Sequence, residues 1–200
     1  LTLGIANLAI LLDRQIARVT DPLLNHGLPP FLTGASVGAH SGFMGAQVSA
    51  TALTAELSAS AQRRYLLQSR STNGANQDVV SMSTLAGVAL YESLPRLREL
   101  VAIHLMTAVQ ALDIAQAGGP SKPPEALALR EWVRERSPYL ADDRPLSEDI
   151  GRIAADLALI TQPDAPTPDR AEQHRDPPPL TAALWSALFP DVPEPQLTRR

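Results

Sequence analysis

The 200-residue sequence is long enough to fold around a hydrophobic core of its own or to form a helical part of a larger assembly. Hydrophobic residues make up 44% and charged residues 19%, and the net charge of -4 argues against a basic surface for nucleic acid or an anionic membrane. There is no cysteine, which excludes disulfides, thiolate metal sites and a cysteine nucleophile, and a cytoplasmic location is expected.

The first predicted element is a helix that ends at Asp21-Pro22. Its apolar residues recur at spacings of three and four, and this pattern predicts one buried face. That face consists of Ile5, Leu8, Leu12, Ile16 and Val19. The spacing places Asp13 largely off this face, and such charges leave no apolar stretch long enough to cross a membrane.

A loop and two long helices are predicted next. Proline and glycine are frequent from residue 21 to residue 41, and a helix or central strand does not tolerate that density. Gly42 to about Ser69 then lacks proline and is rich in Ala and Leu, which predicts a helix. A polar loop over Ser69–Ala75 precedes a second long helix over Ser81–Gln116, with Pro95 inside it.

Two shorter helices and a tail complete the chain. One helix is predicted to begin at Pro124. The other is predicted to begin after Ser147, which would be its N-cap residue. Residues 161–200 contain nine of the 18 prolines and predict a surface tail, in which residues 180–189 form a possible docking helix. The chain is therefore predicted to be all-α, a long-helix bundle over residues 1–160 followed by a Pro-rich tail.

Three segments carry a resemblance to a known family. The first consists of Gly27-Leu28-Pro29-Pro30-Phe31-Leu32-Thr33 and His40-Ser41-Gly42-Phe43-Met44-Gly45-Ala46-Gln47-Val48. The second is Asn76-Gln77-Asp78-Val79-Val80-Ser81-Met82, and the third, a weaker match, is Asp143-Arg144-Pro145-Leu146-Ser147 through Ile150. Together they resemble the C-terminal part of the ammonia-lyases and 2,3-aminomutases that use a methylideneimidazolone (MIO) electrophile, with the second segment closest to the tyrosine and phenylalanine types.

The resemblance implies a fold, a cofactor and partners. The family is almost wholly helical and forms tetramers whose active sites combine residues from several chains. Its electrophile forms by cyclisation of Ala-Ser-Gly, a tripeptide that this sequence lacks. Ala35-Ser36-Val37 is the nearest, but the β-branched Val37 would obstruct the closure. The resemblance therefore implies that MIO is supplied by a complementary N-terminal chain, in a homo- or hetero-oligomer that acts on an α-amino acid.

The resemblance also implies four substrate-pocket residues. Phe43 matches the aromatic residue beside the electrophile, and Gln77 matches a pocket Glu or Gln. Because Gln is neutral, an imidazole substrate is less expected. Asn76 would add a second neutral hydrogen-bonding group, and His40 adjoins the Phe43 motif. No catalytic residue is expected in this chain, because the catalytic tyrosine and the carboxylate-binding arginine belong to the family's N-terminal half.

Several other interpretations fit parts of the sequence. Gly34-Ala35-Ser36-Val37-Gly38 fits a G-x-S-x-G nucleophile pattern, but no hydrophobic strand precedes it, which disfavours a serine hydrolase. The four histidines lack ligand spacing, so no metal site is predicted. Asn76 and Gln77 would also suit a helix-capping role. At the level of function, the alternatives are an MIO-less homologue repurposed as a scaffold or assembly partner, and a plain helical interaction module.

Overall fold

The structure, a computed structural model, describes residues 1–34, 38–63, 69–115 and 124–160. The helices in these ranges are α1 (Thr2–Thr20), α2 (Met44–Ala61), α3 (Ser83–Ala115), α4 (Pro124–Arg134) and α5 (Ser147–Ile160), with a short 3-10 helix at Pro30–Leu32. Isolated bridge residues occur, but the described ranges contain no strand. The predicted all-α fold is confirmed.

Helix α3 lies at the centre of the bundle and packs against α1, α2, α4 and α5. Because neighbours surround it, its middle is buried on every side: each residue from Ala102 to Thr107 is buried, together with Leu100, Val109 and Gln110. The sequence predicts one apolar stripe on this helix, which is narrower than the surface that the structure buries; the stripe consists of Leu94, Leu97, Val101, Leu105, Ala108 and Leu112. A helix that is apolar all round is characteristic of a buried position.

The buried face of α1 differs from the prediction. Leu8 is 42% exposed, whereas Asp13 is 2% exposed. Asp13 can be buried because its carboxylate accepts a hydrogen bond of 2.8 Å from the Thr51 hydroxyl of α2 and pairs with Arg14 at 2.9 Å. The small residues Ala6 and Ala9 occupy the face instead of Leu8, which allows α1 and α2 to approach closely.

Most predicted boundaries agree with the structure to within two residues, with one clear exception. Helix α2 ends at Ala61 and not near Ser69. Its last turn tightens, because the amides of Gln62 and Arg63 bond to carbonyls three residues back, as frequently occurs at helix ends. Ser147 is the first residue of α5, so the predicted N-cap is one residue out.

Two other sequence predictions concern the ends of the chain and membranes. The predicted tail over residues 161–200, with its docking helix over 180–189, lies outside the described residues. None of the helices in the described ranges combines the length and the apolar character that crossing a bilayer requires.

An apolar cavity of about 260 Å³ lies between α1, α3 and α4. His104 of α3 lines this cavity, is 3% exposed, and its Nδ1 has no hydrogen-bond partner. Burial lowers the pKa of His104 from its ordinary value of 6.5 to about 4. The imidazole is therefore neutral at pH 7, and its burial makes folding sensitive to acid.

Candidate functional site

Phe43 immediately precedes α2, and its position depends on the loop before it. Its side chain is 2% exposed and belongs to the main hydrophobic core with Leu32. Its amide donates a hydrogen bond of 2.9 Å to the carbonyl of Phe31, and its own carbonyl accepts one of 2.9 Å from Gln47. The first residues of α2 are thus tied directly to the 3-10 helix at Pro30–Leu32.

Gly42 lies so close to the backbone of Phe31 that a residue with a side chain would not fit. Gly42 has a φ of +53°, and a Cβ at this position would lie 2.5 Å from the Phe31 carbonyl oxygen. Phe31 and Leu32 also have positive φ angles, of 51° and 56°, which are costly for residues with side chains. Two strained residues persist only where the surrounding contacts determine the loop conformation.

Asp143 supplies one of those contacts from the loop between α4 and α5. Its carboxylate accepts hydrogen bonds from the amides of Ser41, at 2.7 Å, and of Gly42, at 2.9 Å. These two bonds, the Ser41 bond foremost, hold the pKa of the Asp143 carboxyl below its ordinary value. The structure therefore joins the third segment of the resemblance to the first, although about 100 residues separate them.

His40 lies beside this contact. Its Nε2 is 3.8 Å from Oδ1 of Asp142, and the imidazole side chain is 26% exposed. The distance allows an ion pair only when the imidazole is protonated, and it is too long for a direct hydrogen bond. His40 is thus partly exposed beside the Asp143 contact, whereas Phe43 is buried in the core.

The buried amide of Gln110 braces the same loop from α3. Its Nε2 donates to the carbonyls of Leu32, at 3.3 Å, and Leu140, at 3.0 Å. Its Oε1 accepts from the Leu140 amide, at 3.2 Å, and from Arg134, at 3.0 Å. All four hydrogen-bonding positions of the amide are used. Beside it, Gly34 packs so tightly that a Cβ would lie 2.2 Å from the Leu140 carbonyl oxygen.

Asn76 and Gln77 lie in a separate, exposed turn. Gln77 exchanges backbone hydrogen bonds of 3.0 and 3.3 Å with Thr72, and the Asn76 amide donates to Asn73 at 3.2 Å. The Thr72 hydroxyl also donates to Oε1 of Gln77 at 3.3 Å. These hydrogen bonds stay within residues 72–77. The structure brings His40 and Phe43 close to Asp143. None of the hydrogen bonds described for Asn76 and Gln77 connects their turn to these three residues.

A cleft of about 550 Å³ opens beside the start of α2. Its walls are the first turn of α2, the Asp143 loop and the first turn of α5. Its lining includes Ser41, Gly42, Ala46, Asp143, Arg144, Ser147 and Ile150. In the part of the chain that the structure describes, no three His, Asp or Glu side chains are grouped so as to hold a metal ion.

Neither Asp143 nor Gln110 is distinguished individually by a sequence pattern. Asp143 belongs to a matched segment. Its only sequence signal is that an acidic residue stands in the loop before a predicted helix. Gln110 was detectable only as a polar residue inside a long apolar helix pattern. In neither case does the sequence indicate which backbone groups the side chain binds.

Comparison with known proteins identifies the family. The family model described as aromatic amino acid lyase matches residues 1–135. The chain belongs to this family. It is 44% identical over 158 residues to a tyrosine ammonia-lyase from Cereibacter sphaeroides, an alignment that covers 78% of this chain and 30% of that protein. It is 39% identical over 158 residues to an MIO-dependent tyrosine 2,3-aminomutase from Streptomyces globisporus, covering 78% and 29%.

Solved structures of aromatic amino acid lyase relatives agree with the fold. The tyrosine aminomutase from Streptomyces globisporus gives a TM-score of 0.73 at 39% identity, over 79% of this chain and 30% of that one. The histidine ammonia-lyase from Trypanosoma cruzi gives 0.72 at 26% identity, over 97% and 33%. The chain thus spans about 30% of the length of the first two relatives and aligns with one segment of each. The predicted resemblance is confirmed.

Proposed function

We propose that residues 1–160 form the C-terminal part of an MIO-type amino acid ammonia-lyase or 2,3-aminomutase active site, completed by a complementary chain that carries Ala-Ser-Gly. The observation that carries this proposal is the family match over residues 1–135, in a chain that aligns with one segment, about 30% of the length, of its relatives. The 200 residues contain no Ala-Ser-Gly, so the precursor of the electrophile lies outside them. MIO, when present, supplies the electrophile that activates the amino acid, and this chain supplies groups that bind and orient the substrate.

The roles of the chain's own residues follow from their positions. Phe43, at the start of α2, would form an apolar wall of the pocket, with His40 at the accessible rim. Asn76 and Gln77 would offer neutral amide donors and acceptors to a zwitterionic substrate. Their exposed turn leaves these amides available to a partner surface. A neutral glutamine and the similarity to two enzymes named for tyrosine together favour an aromatic α-amino acid as substrate.

The chain alone is expected to have no lyase or mutase activity, because it contains neither the electrophile precursor nor the family's catalytic tyrosine segment. Ammonia release and formation of the unsaturated acid would be measured with aromatic amino acids, with and without the complementary chain. Turnover should appear only in the mixture. Activity of the purified 200-residue chain would contradict the split site, and a natural assembly whose intact mass shows no Ala-Ser-Gly chain would favour the repurposed scaffold.

Gln77→Ala should lower kcat/KM of the complete complex by roughly tenfold or more, because one polar contact to substrate is lost. Gln77 is exposed in the chain, so its replacement should leave thermal stability nearly unchanged. Gln62→Ala removes another exposed glutamine, at the end of α2, and serves as the matched control. Equal kinetics of the two variants would contradict a contact between Gln77 and the substrate.

Phe43 requires a milder substitution. Phe43→Ala would remove a buried core side chain and is expected to cost about 3–5 kcal/mol of stability as well as activity. Phe43→Leu keeps most of the apolar volume and should retain the fold while lowering kcat/KM by roughly tenfold, since the flat aromatic wall is lost. Unchanged turnover with a lowered melting temperature would make Phe43 a core residue only.

A further inference from the structure

Helix α2 lacks a capping side chain of its own. Phe43 occupies its N-cap position and makes no side-chain capping hydrogen bond. At many helix starts, Ser, Thr, Asp or Asn holds the backbone in this position. In this chain, a carboxylate from a distant loop binds the two amides that come directly before Phe43. It also places a negative charge near the positive end of the α2 dipole.

The contact between Asp143 and the two amides lies at the surface and is not part of the hydrophobic core. Asp143 lies at the protein surface, whereas the Gln110 amide that braces the same loop is fully buried. The carboxylate uses each of its oxygens for one amide, so the Ser41–Gly42 peptide is held at two points. An exposed interaction of this kind contributes little to global stability, but it fixes a local backbone geometry.

The charged side chains around Asp143 leave its carboxylate on the two amides. His40 lies near both acids: its Nε2 is 3.8 Å from Oδ1 of Asp142, and it also interacts electrostatically with Asp143. Arg144 pairs with Asp149 of α5 at 2.7 Å and donates to the Pro138 carbonyl at 3.1 Å. Asp149 also accepts a hydrogen bond of 2.8 Å from Ser137. Arg144 therefore pairs with Asp149 and not with Asp143. The Asp143 carboxylate accepts its hydrogen bonds from the two backbone amides.

We propose that Asp143 is a positioning residue, which presents Phe43 and His40 to the substrate pocket by holding the Ser41–Gly42 peptide at the start of α2. It acts on the backbone and does not touch substrate itself. The catalytic part of this inference rests on the proposed function, whereas the backbone part can be tested independently of any activity.

The first test is hydrogen exchange in the full chain. Asp143→Asn offers one oxygen in place of two, so at least one of the two amides loses its acceptor. Exchange at Ser41 and Gly42 should accelerate by roughly tenfold to a hundredfold, while amides in the middle of α3 keep their protection. Glu148→Gln neutralises another exposed acid in the first turn of α5 and should leave both amides unchanged. Unaltered exchange at Ser41 and Gly42 in Asp143→Asn would overturn the proposal.

The second test measures kinetics in the complete complex. Asp143→Asn should lower kcat/KM by roughly tenfold without a matching fall in melting temperature, and Asp143→Glu, which keeps both oxygens, should recover part of the loss. A structural role alone would lower the melting temperature and spare the kinetics, which would overturn the positioning role. A wild-type complex without turnover would instead overturn the proposed function, and the exchange result would still decide whether Asp143 holds the loop.

Discussion

Replacement of Gln110 by leucine should lower the free energy of unfolding by about 3–5 kcal/mol. Leucine is similar in volume, so the loss comes mainly from hydrogen bonding. The change would leave the Leu140 amide and the carbonyls of Leu32 and Leu140 without the buried amide that binds them. Each buried group that loses its partner costs about 1–3 kcal/mol. Urea denaturation of the full chain, followed by far-ultraviolet circular dichroism, measures the effect.

Gln62→Leu is the control for this experiment. Gln62 is exposed at the end of α2, so its replacement should change stability by no more than about 0.5 kcal/mol. If Gln110→Leu lost less than about 1 kcal/mol, water or neighbouring side chains would be satisfying the freed groups. The loop between α1 and α2 would then not depend on this amide.

His104→Leu should remove a large part of the acid sensitivity of folding. The pKa of His104 is about 4 in the folded chain and 6.5 ordinarily, so the unfolded chain takes up the proton first as pH falls. The stability linked to His104 is fully present above pH 6.5 and is lost progressively as pH falls towards about 4. A difference of this size corresponds to about 3 kcal/mol.

The measurement is the free energy of unfolding in urea at pH values from 7.5 to 4.5. Carboxyl groups titrate in the same range, and they contribute equally to wild type and variant. His104→Leu should equal or exceed wild type at pH 7, because it removes a buried nitrogen without a partner, and the gap should widen on acidification. His26→Asn, at an exposed histidine with positive φ, is the control and should follow the wild-type curve. Parallel curves for His104→Leu and wild type would show that His104 is solvated or paired.

The number, order and approximate limits of the helices in the described ranges could be predicted from sequence, because periodicity and breakers are local signals. The buried face of α1 could not, since the burial of Asp13 depends on a hydroxyl of α2 that no pattern within α1 reports. The predicted end of α2 is also wrong, because a composition rich in Ala and Leu predicts a helix more readily than it predicts where the helix stops.

In the candidate site, too, the sequence motifs predicted residues but not contacts between distant parts of the chain. The motifs around Phe43 and Gln77 predicted which residues to consider, and their pocket roles stay predictions. The Asp143 contact spans about 100 residues of chain and joins a side chain to backbone amides, for which residue identity carries almost no signal. Positive φ angles at Phe31 and Leu32 were equally hidden, because these residue types normally avoid that conformation.

The loop between α1 and α2 contacts the loop between α4 and α5 through Gly34 and Asp143, and Gln110 of α3 binds both loops. These contacts also constrain how the sequence can diverge. A residue inserted between His40 and Gly42 would shift the Ser41 amide away from the carboxylate. A residue inserted between Leu140 and Asp143 would shift the carboxylate away from the amide. Within these two described stretches, a change of length in one loop therefore requires a compensating change in the other. Among homologues, insertions and deletions in these two loops should therefore occur as matched pairs, even though the loops are far apart in sequence.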